Sequence, residues 1–329
     1  MATNTQVLCM GNAIVDIIAR VEDGFLEKHE RIKGSMMLVD AETSARIYGD
    51  MPPAIERSGG SAGNTAAGIA SFGGKAGYIG KVHNDQLGTV FTHDIRAAGV
   101  SFETEPSTEG APTATSMILV SPDAQRTMNT FLGACTELTP VDVDEAVVTA
   151  AEVVYVEGYL WDTAPMKASV LRAFEIAAGA DTKVSLSLSD SFCVDRFREE
   201  FLDLVENQVD ILFANEAEIK ALYQVDSFEA AVEKIHAIGK LAALTRGDKG
   251  SVVVSGGTIV AVDAVDTHVE DTTGAGDLYA AGFLYGYTNG HSMEECAQLG
   301  GLAAAEVISH LGARPEVSLL ELKQQKLGL

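Results

Sequence analysis

The chain has 329 residues, of which 47% are hydrophobic and 21% charged, and this composition is sufficient for a large folded core. Lys and Arg total 23 against 47 Asp and Glu, and the net charge of −24 argues against nucleic acid or an anionic membrane as a partner. No basic region precedes the first apolar run, and no apolar stretch approaches the roughly 18 residues that a membrane helix needs. We therefore expect a soluble, cytoplasmic protein of about two domains, and the sequence leaves its oligomeric state open.

Short apolar runs alternate along the chain with longer segments of helical period, which is typical of a parallel α/β core. Buried strands are predicted at 153–156, 184–188, 211–214 and 242–245, and helices at 165–180, 197–209 and 216–238. Residues 12–40 and 103–134 depart from this pattern, because strand-like pieces at 36–39 and 117–120 occur there without long helices. We expect these two regions to pair into a small separate sheet.

A glycine-rich segment at 58–64, SGGSAGN, precedes a predicted helix of small residues at 65–72. Its glycines leave room for a ligand to approach the backbone, and Asn64 offers both donors and an acceptor to hydroxyl groups. The segment therefore suits a polyol ligand.

Two polar segments follow predicted strands further along the chain. Asn215, Glu216 and Glu218 come directly after the strand at 211–214, and the segment 245–250, TRGDKG, follows the next one. The carboxyl edge of an open α/β sheet is where such folds bind ligands. From the residues alone, the first segment reads more readily as an ordinary acidic helix start, and the second as an ordinary turn between strands.

The segment 271–277, DTTGAGD, precedes a run of small residues predicted to form a buried helix. The backbone N–H groups of Gly274, Ala275 and Gly276 can point at one oxyanion, because the first turn of a helix carries unpaired N–H groups and partial positive charge. Asp277 lies in the same turn, where it can accept a proton from a bound hydroxyl. A glycine-rich turn capped by Asp is the alternative.

Other signatures are missing from the sequence. It contains neither a P-loop nor the usual dinucleotide fingerprint, which disfavours a hydride-transfer enzyme. The seven histidines form no ligand cluster, and the four cysteines show no paired spacing, so we expect buried thiols rather than a zinc or redox site.

Taken together, the segments 58–64 and 271–277 resemble the paired signatures of the ribokinase-like (PfkB) family of carbohydrate and nucleoside kinases. The residues at 11–16, 215–218 and 245–250 follow that family's order and approximate spacing. The resemblance covers nearly the whole chain, and within the family it is greatest to the adenosine kinase branch. It implies a ribokinase-like α/β core at 1–11, 41–102 and 135–329, and a discontinuous β lid at 12–40 and 103–134.

The resemblance also implies the following roles for individual residues. Asp277 would be the base, the N–H groups at 274–276 an anion hole, and Arg126 a lid arginine that reaches the transferring phosphate. The substrate would be held by Asn12, Asp16, Gly60, Asn64 and Tyr159. ATP would be held by Asn215, Thr245, Gly247, Lys249, Gly250 and Thr273, and Mg²⁺ by Asn215 and Glu218, mainly through water.

The expected reaction is transfer of the γ-phosphoryl group of ATP to the 5′-hydroxyl of a ribonucleoside, with adenosine as the first choice. A carboxylate at Asp16 that accepts two vicinal hydroxyls would select a diol. Candidate apolar walls for a purine are Ile14, Tyr159, Leu160 and Trp161, although Trp161 departs from the family pattern. Another purine nucleoside, a free sugar such as ribose or fructose, and a non-catalytic nucleotide sensor remain alternatives.

Overall fold

The structure is a computed structural model that describes residues 5–123 and 125–329. Residues 1–4, at the start of the predicted core, and Ala124, in the second predicted lid segment, lie outside the described residues. In chain order the strands are β1 (Thr5–Met10), β2 (Ile14–Arg20), β3 (Met36–Leu38), β4 (Ile55–Ser58), β5 (Ala76–Ile79), β6 (Ser101–Phe102), β7 (Ala114–Val120), β8 (Arg126–Phe131), β9 (Ala151–Glu157), β10 (Lys183–Ser187), β11 (Ile211–Asn215), β12 (Leu241–Thr245), β13 (Ser251–Ser255) and β14 (Thr258–Val262).

The α-helices of the described residues are α1 (Asp23–Lys28), α2 (Ala41–Asp50), α3 (Ser61–Ser71), α4 (Gln86–Ala97), α5 (Glu145–Thr149), α6 (Ala164–Ala178), α7 (Ser191–Asn207), α8 (Glu216–Tyr223), α9 (Phe228–Ala237), α10 (Ala275–Thr288), α11 (Met293–Val307) and α12 (Leu319–Leu327). Short 3₁₀ turns occur at Gly133–Glu137, Pro140–Asp142, Gly158–Trp161 and Gly247–Lys249. No helix among the described residues is long and apolar enough to cross a membrane.

The larger sheet has the strand order β14-β13-β12-β11-β10-β9-β1-β5-β6. It is parallel from β12 to β6, and only the hairpin strands β13 and β14 are antiparallel to their neighbours. Both faces of the sheet are covered, as the alternating residues of the central strand β1 show. Val7 and Cys9 belong to one apolar cluster, and Leu8 and Met10 belong to another. The first cluster includes α3, α10 and α11, and the second includes α6 to α9. The predicted parallel α/β core is confirmed.

The segment predicted as one helix at 216–238 is two helices, α8 and α9. Gln224 takes a left-handed backbone conformation with φ of 50°, which ends α8. The Ser227 side chain then accepts a hydrogen bond from the N–H of Ala230 (3.1 Å) and starts α9. All four cysteines are buried and free.

The smaller sheet has the order β3-β8-β7-β2-β4. Four of its strands fall within the predicted segments 12–40 and 103–134, but β4 falls within 41–102, and α2 from the same stretch packs against β7 and β8. The prediction omitted β4 because Ile55-Glu56-Arg57-Ser58 has a single apolar residue and no strand pattern. Its pairing with β2 places Asp16 opposite Arg57. The division of the chain into a core and a lid stays a prediction.

Candidate active site

The predicted site residues follow strands that end at one edge of the larger sheet. Asn12 follows β1, while Glu157, Asn215 and Thr245 end β9, β11 and β12. These strands are parallel, so their carboxyl ends meet at the same edge. Helices α3 and α10 bring the two glycine-rich segments to that edge.

Helices α3 and α10 approach each other closely at a glycine. A Cβ at Gly68 would lie 2.6 Å from the Cβ of Ala281 and 2.6 Å from Cδ1 of Leu278. Only hydrogen at this position permits the observed packing, since real carbon atoms do not approach so closely. The close packing places the first turns of both helices side by side.

Asp277 is held by side chains from the first turn of α3. Ser61 Oγ donates to Oδ1 of Asp277 (2.6 Å), and Asn64 Nδ2 donates to Oδ2 (2.9 Å). Thr65 Oγ1 donates to the Asp277 carbonyl oxygen (3.1 Å). The carboxylate is therefore fixed in orientation before any substrate binds.

Opposing effects act on the charge of Asp277. Burial among protein atoms raises the pKa of its carboxyl, while the hydrogen bonds from Ser61 and Asn64 and the positive charge of Arg314 act to lower it. A carboxylate with a raised pKa is a stronger base than one in water, and this suits proton abstraction from a hydroxyl.

The loop before α10 provides backbone donors beside Asp277. Gly274 is the N-cap residue with φ of 77°, and a Cβ there would lie 2.8 Å from the Cβ of Ala313. The N–H of Ala275 donates a long hydrogen bond to the Thr272 carbonyl (3.3 Å), so this predicted donor is already engaged. The N–H groups of Gly274 and Gly276 have no acceptor within the described part of the chain. These two amides can receive an anion.

Asp16 lies on β2 of the smaller sheet, against the glycine-rich segment. A Cβ at Gly59 would overlap the carboxylate of Asp16, so glycine permits this approach. Burial raises the pKa of Asp16 to about 7, opposed by the charges of Arg314 and Arg126 and reinforced by that of Asp277. Asp16 and Asp277 are therefore near enough to interact electrostatically.

Asn12 and the first turn of α3 are fixed by a buried carboxylate that sequence reasoning missed. Glu157 Oε1 accepts from the backbone N–H and from Nδ2 of Asn12 (both 2.8 Å), and Oε2 accepts from the N–H of Ala62 (2.8 Å). Gly60 has φ of 81°, and a Cβ there would overlap the Asn12 carbonyl. Burial raises the pKa of Glu157 to about 7. A charged residue at the end of the apolar run 153–156 was the available signal.

Arg126, the first residue of β8, connects the smaller sheet to the 271–277 segment. Its guanidinium forms an ion pair with Asp271, and Nη1 donates to Thr273 Oγ1 (2.7 Å). Asp271 is itself buried and accepts from the N–H groups of Thr273 and Gly312 (both 2.9 Å). Nη2 of Arg126 is buried and lacks a protein partner among the described residues. The arginine is thus held at the loop that carries the free amides.

Tyr159 lies in the 3₁₀ turn after β9, and its hydroxyl donates to the Ser189 carbonyl (3.3 Å). The charges of Asp190 and Asp277 and, above all, burial raise the pKa of the Tyr159 hydroxyl. Tyr159 therefore lies near the acidic groups of the site, and its contact with a substrate stays a prediction.

Leu160 and Trp161 do not form a wall of this site. Both are buried in the apolar cluster on the far face of the sheet. Trp161 packs against Phe201, with ring centroids 5.8 Å apart, and its indole N–H donates to Glu200 (3.1 Å). Their expected contact with a purine is wrong, because the 3₁₀ turn directs these side chains toward α6 and α7. Ile14, by contrast, is partly buried two residues before Asp16 on β2.

Asn215 and Glu218 form a reciprocal capping box at the start of α8. The N–H of Asn215 donates to Oε2 of Glu218 (2.9 Å), Nδ2 of Asn215 donates to Oε1, and the N–H of Glu218 donates to Oδ1 of Asn215 (2.9 Å). Burial, with the charges of Asp190 and Asp277, raises the pKa of Glu218 to about 7. Within residues 5–123 and 125–329, no group of three His, Cys, Asp or Glu is arranged to hold a metal ion.

The segment after β12 is organised by an arginine that sequence reasoning did not select. Arg246 Nε donates to Glu216 (3.1 Å), and its guanidinium lies 4.0 Å from the centre of the Phe228 ring. Arg246 and, more weakly, Lys249 lower the pKa of Glu216. Thr245, at the end of β12, is partly buried beside this ion pair.

Gly247 and Lys249 belong to an exposed 3₁₀ turn. Gly250 follows it with φ of 77°, and a Cβ there would overlap the Val262 carbonyl. The structure therefore requires this glycine for the turn into β13. A Cβ at Gly247 would meet no atom within 4 Å, so steric crowding does not require glycine there. Its positive φ of 61° does favour glycine.

The site joins an oriented carboxylate, free amide donors at a helix start and a second carboxylate on the facing sheet. This combination can deprotonate a hydroxyl and stabilise negative charge on a group transferred to it. The fold and these residues define a phosphotransferase that acts on an alcohol group. The chain belongs to the pfkB family of carbohydrate kinases, whose family model matches residues 54–318.

Several known proteins are similar to this chain. The crystal structure of a probable sugar kinase protein from Rhizobium etli CFN 42 superposes with a TM-score of 0.93 at 52% identity, covering 99% of this chain and 100% of the other. The crystal structure of adenosine kinase from Sinorhizobium meliloti gives a TM-score of 0.91 at 54% identity, covering 98% and 99%. Adenosine kinase of Dictyostelium discoideum is 26% identical over 334 residues, covering 94% of this chain and 96% of that protein.

Proposed function

We propose that this kinase transfers the γ-phosphoryl group of ATP to the 5′-hydroxyl of a ribonucleoside, with adenosine as the preferred acceptor. The observation that carries the proposal is the position of Asp277, held by Ser61 and Asn64 beside the free amides of Gly274 and Gly276. A hydroxyl bound against Asp277 would lose its proton as the phosphoryl group arrives. The two amides would stabilise the charge on the phosphoryl oxygens.

The residues around Asp16 support a diol acceptor. Its carboxylate faces the glycine-rich segment, where Asn64 and the N-terminus of α3 lie. An ionised carboxylate accepts from two vicinal hydroxyls, and a substrate without them would leave the buried carboxylate unpaired. This geometry favours a ribose ring with free 2′- and 3′-hydroxyls.

An apolar row on the smaller sheet favours a nucleoside over a free sugar. Strand register aligns Ile55, Ile18, Ile118, Met128 and Met36 across all five strands, two residues along from the row that contains Asp16. Side chains two residues apart on a strand share a face, so this row lies on the face of Asp16. Its edge residues are about half exposed, with Met36 at 46% and Ile55 at 55%. A flat, largely apolar base would cover part of the exposed surface of this row, whereas a free sugar would leave that part in water.

The residues near β11 fit ATP with Mg²⁺ only through water. Asn215 and Glu218 offer the amide and carboxylate oxygens that Mg²⁺ prefers, but both carboxylate oxygens of Glu218 already accept from Asn215. Mg²⁺, when bound with ATP, supplies charge neutralisation on the phosphates. Arg126 and the free amides add positive potential in a chain whose net charge is −24.

A sugar kinase is the second candidate, and it is supported by the 52% identity to the probable sugar kinase protein of Rhizobium etli. A non-catalytic nucleotide sensor is less well supported, because a sensor has no need for a carboxylate oriented as Asp277 is. Both alternatives differ from the proposal in what the wild-type protein phosphorylates.

A substrate panel tests the proposal. Purified protein with ATP and Mg²⁺ is given adenosine, guanosine, inosine, ribose or fructose, and ADP formation is measured with an Asp277→Asn variant as the background control. We expect kcat/KM for adenosine to exceed that for ribose by about two powers of ten or more, given the apolar area that a base buries. Equal efficiency with ribose or fructose would support the sugar kinase. No phosphorylation of any acceptor would support the sensor.

A further inference from the structure

Arg314 lies in the loop between α11 and α12 and was not among the site residues that the sequence predicted. Its Nε donates to Oδ1 of Asn64 (2.9 Å), and Nη2 is buried without a protein partner among the described residues. A Cβ at Gly63 would lie 3.4 Å from that Nη2, so the guanidinium lies directly against the first turn of α3. The arginine thus meets one atom of the Asn64 amide, and Asp277 meets the other.

The contact determines which way the amide of Asn64 points. The two ends of an asparagine amide are similar in size but opposite in hydrogen bonding, and arginine has donors only. The atom facing Arg314 must therefore be Oδ1, which leaves Nδ2 facing Asp277, to which it donates (2.9 Å). With the amide reversed, Nδ2 would meet a donor of Arg314 and Oδ1 would meet an oxygen of Asp277.

The charge of Arg314 acts on the same acidic groups. Burial lowers the pKa of the Arg314 guanidinium, and the carboxylates of Asp16, Asp94 and Asp277 oppose this effect because they favour its charged form. In return, the charge of Arg314 is the largest effect that opposes the raised pKa of Asp16. Arg314 is therefore placed to compensate carboxylates on β2, α4 and α10.

We propose that Arg314 is a positioning residue of the kinase, which orients the amide of Asn64 so that Asn64 presents an N–H group to Asp277. This inference rests on the proposed function, since it assigns Asp277 the role of base. Arg314 acts through Asn64, and its removal leaves Oδ1 of Asn64 without its donor.

Replacement by Met, Lys and Gln separates the parts of this role. Arg314→Met removes donor and charge, and kcat should fall about 10–100-fold, because the Asn64 amide is then no longer held in the orientation that positions the base. Arg314→Lys keeps a donor and the charge and should recover most of that loss. Arg314→Gln keeps a donor but not the charge, and its kcat should lie between those of the Met and Lys variants.

A pH profile gives a readout that a purely structural residue would not move. Arg314 is the charged group that lowers the pKa of Asp277, and the charge of Asp277 in turn raises the pKa values of neighbouring groups, namely Asp16, Tyr155, Glu157, Tyr159 and Glu218. At saturating acceptor and ATP, the acid limb of the kcat profile should move to higher pH by about one unit in Arg314→Met and Arg314→Gln, because a nearby positive charge is lost. Arg314→Lys should keep the wild-type limb.

A double-mutant cycle tests action through Asn64. In an Asn64→Ala background, Arg314→Met should lower kcat by less than about twofold, because the residue that Arg314 orients is gone.

Arg198→Gln is the matched control for the arginine substitutions. Arg198 is also partly buried, and its Nε donates to the backbone carbonyl of Leu222 (3.0 Å). This variant should keep wild-type kinetics.

The inference would be overturned if Arg314→Met kept the wild-type kcat and pH profile. It would also be overturned if Arg314→Met lowered kcat in the Asn64→Ala background as much as it does in the wild type. If Arg314→Met does not fold, the Lys and Gln variants decide, and equal kinetics in these two and the wild type would count against it. Failure of the proposed function is recognised separately, because the wild-type protein would then phosphorylate no acceptor in the panel.

Discussion

Asp277→Asn is the sharpest test of the proposed base, because the surrounding hydrogen bonds can accept the replacement. The new amide can turn its oxygen toward Nδ2 of Asn64 and its N–H group toward Ser61. In the wild type, Ser61 Oγ donates to Asp277 (2.6 Å). A hydroxyl can also accept, so in the variant this hydrogen bond is kept with donor and acceptor exchanged. The variant should therefore fold, with a free energy of unfolding within about 1 kcal/mol of the wild type.

The expected kinetic effect is large by comparison. An amide cannot take the hydroxyl proton, so kcat should fall about 10²–10⁴-fold, which corresponds to roughly 3–5 kcal/mol in transition-state free energy. The acceptor Kd should change little, because the amide keeps the shape and hydrogen bonds of the site. Steady-state kinetics at saturating ATP measure kcat, and calorimetric titration with adenosine measures Kd.

Ser61→Ala is the matched control for this measurement. It removes one hydrogen bond to the same carboxylate but leaves the base, so its loss in kcat should stay near tenfold or less. Turnover of Asp277→Asn within about tenfold of the wild type would refute the assignment of the base. Turnover losses that are equal in the two variants would refute it as well.

Three further experiments probe the site and its surroundings. Asp16→Ala should raise KM for ribose-bearing acceptors by about tenfold or more while leaving KM for ATP unchanged, as measured by varying each substrate in turn; a parallel rise for ATP would indicate misfolding. Met128→Ala should lower the adenosine-to-ribose ratio of kcat/KM, whereas Trp161→Ala should lower the free energy of unfolding by about 3–5 kcal/mol and leave that ratio unchanged. Burial raises the pKa values of Asp16, Glu157 and Glu218 to about 7, so the folded protein binds protons at these carboxyls more tightly than the unfolded chain does. The resulting contribution to the free energy of unfolding is complete below about pH 4 and is lost as the pH rises toward 7. Thermal unfolding should therefore show a falling midpoint between pH 5 and 7.5, with a smaller fall in Asp16→Asn; an equal fall in both proteins would contradict the shift assigned to Asp16.

Sequence patterns predicted the core strands and the segments that line the site because these depend on neighbours along the chain. The apolar runs at 211–214 and 242–245 lie within β11 and β12, and the glycine-rich segments at 58–64 and 271–277 lead into α3 and α10. Errors arose where the local signal was weak or ambiguous. Strand β4 has one apolar residue, the helical period at 216–238 runs through the break between α8 and α9, and an aromatic such as Trp161 suits a core as well as a ligand site.

The sequence by itself determined the fold class, the family and the presence of Asp277 at the start of a helix with glycines before it. Only the tertiary structure decided which side chains meet there. Ser61 lies 216 residues from Asp277, and Asn64 lies 250 residues from Arg314. Such contacts depend on how closely α3 and α10 pack at Gly68 and on where the loop after α11 returns. A lone arginine in a loop carries no periodicity or motif, so its role becomes visible only when folding brings it to its partner.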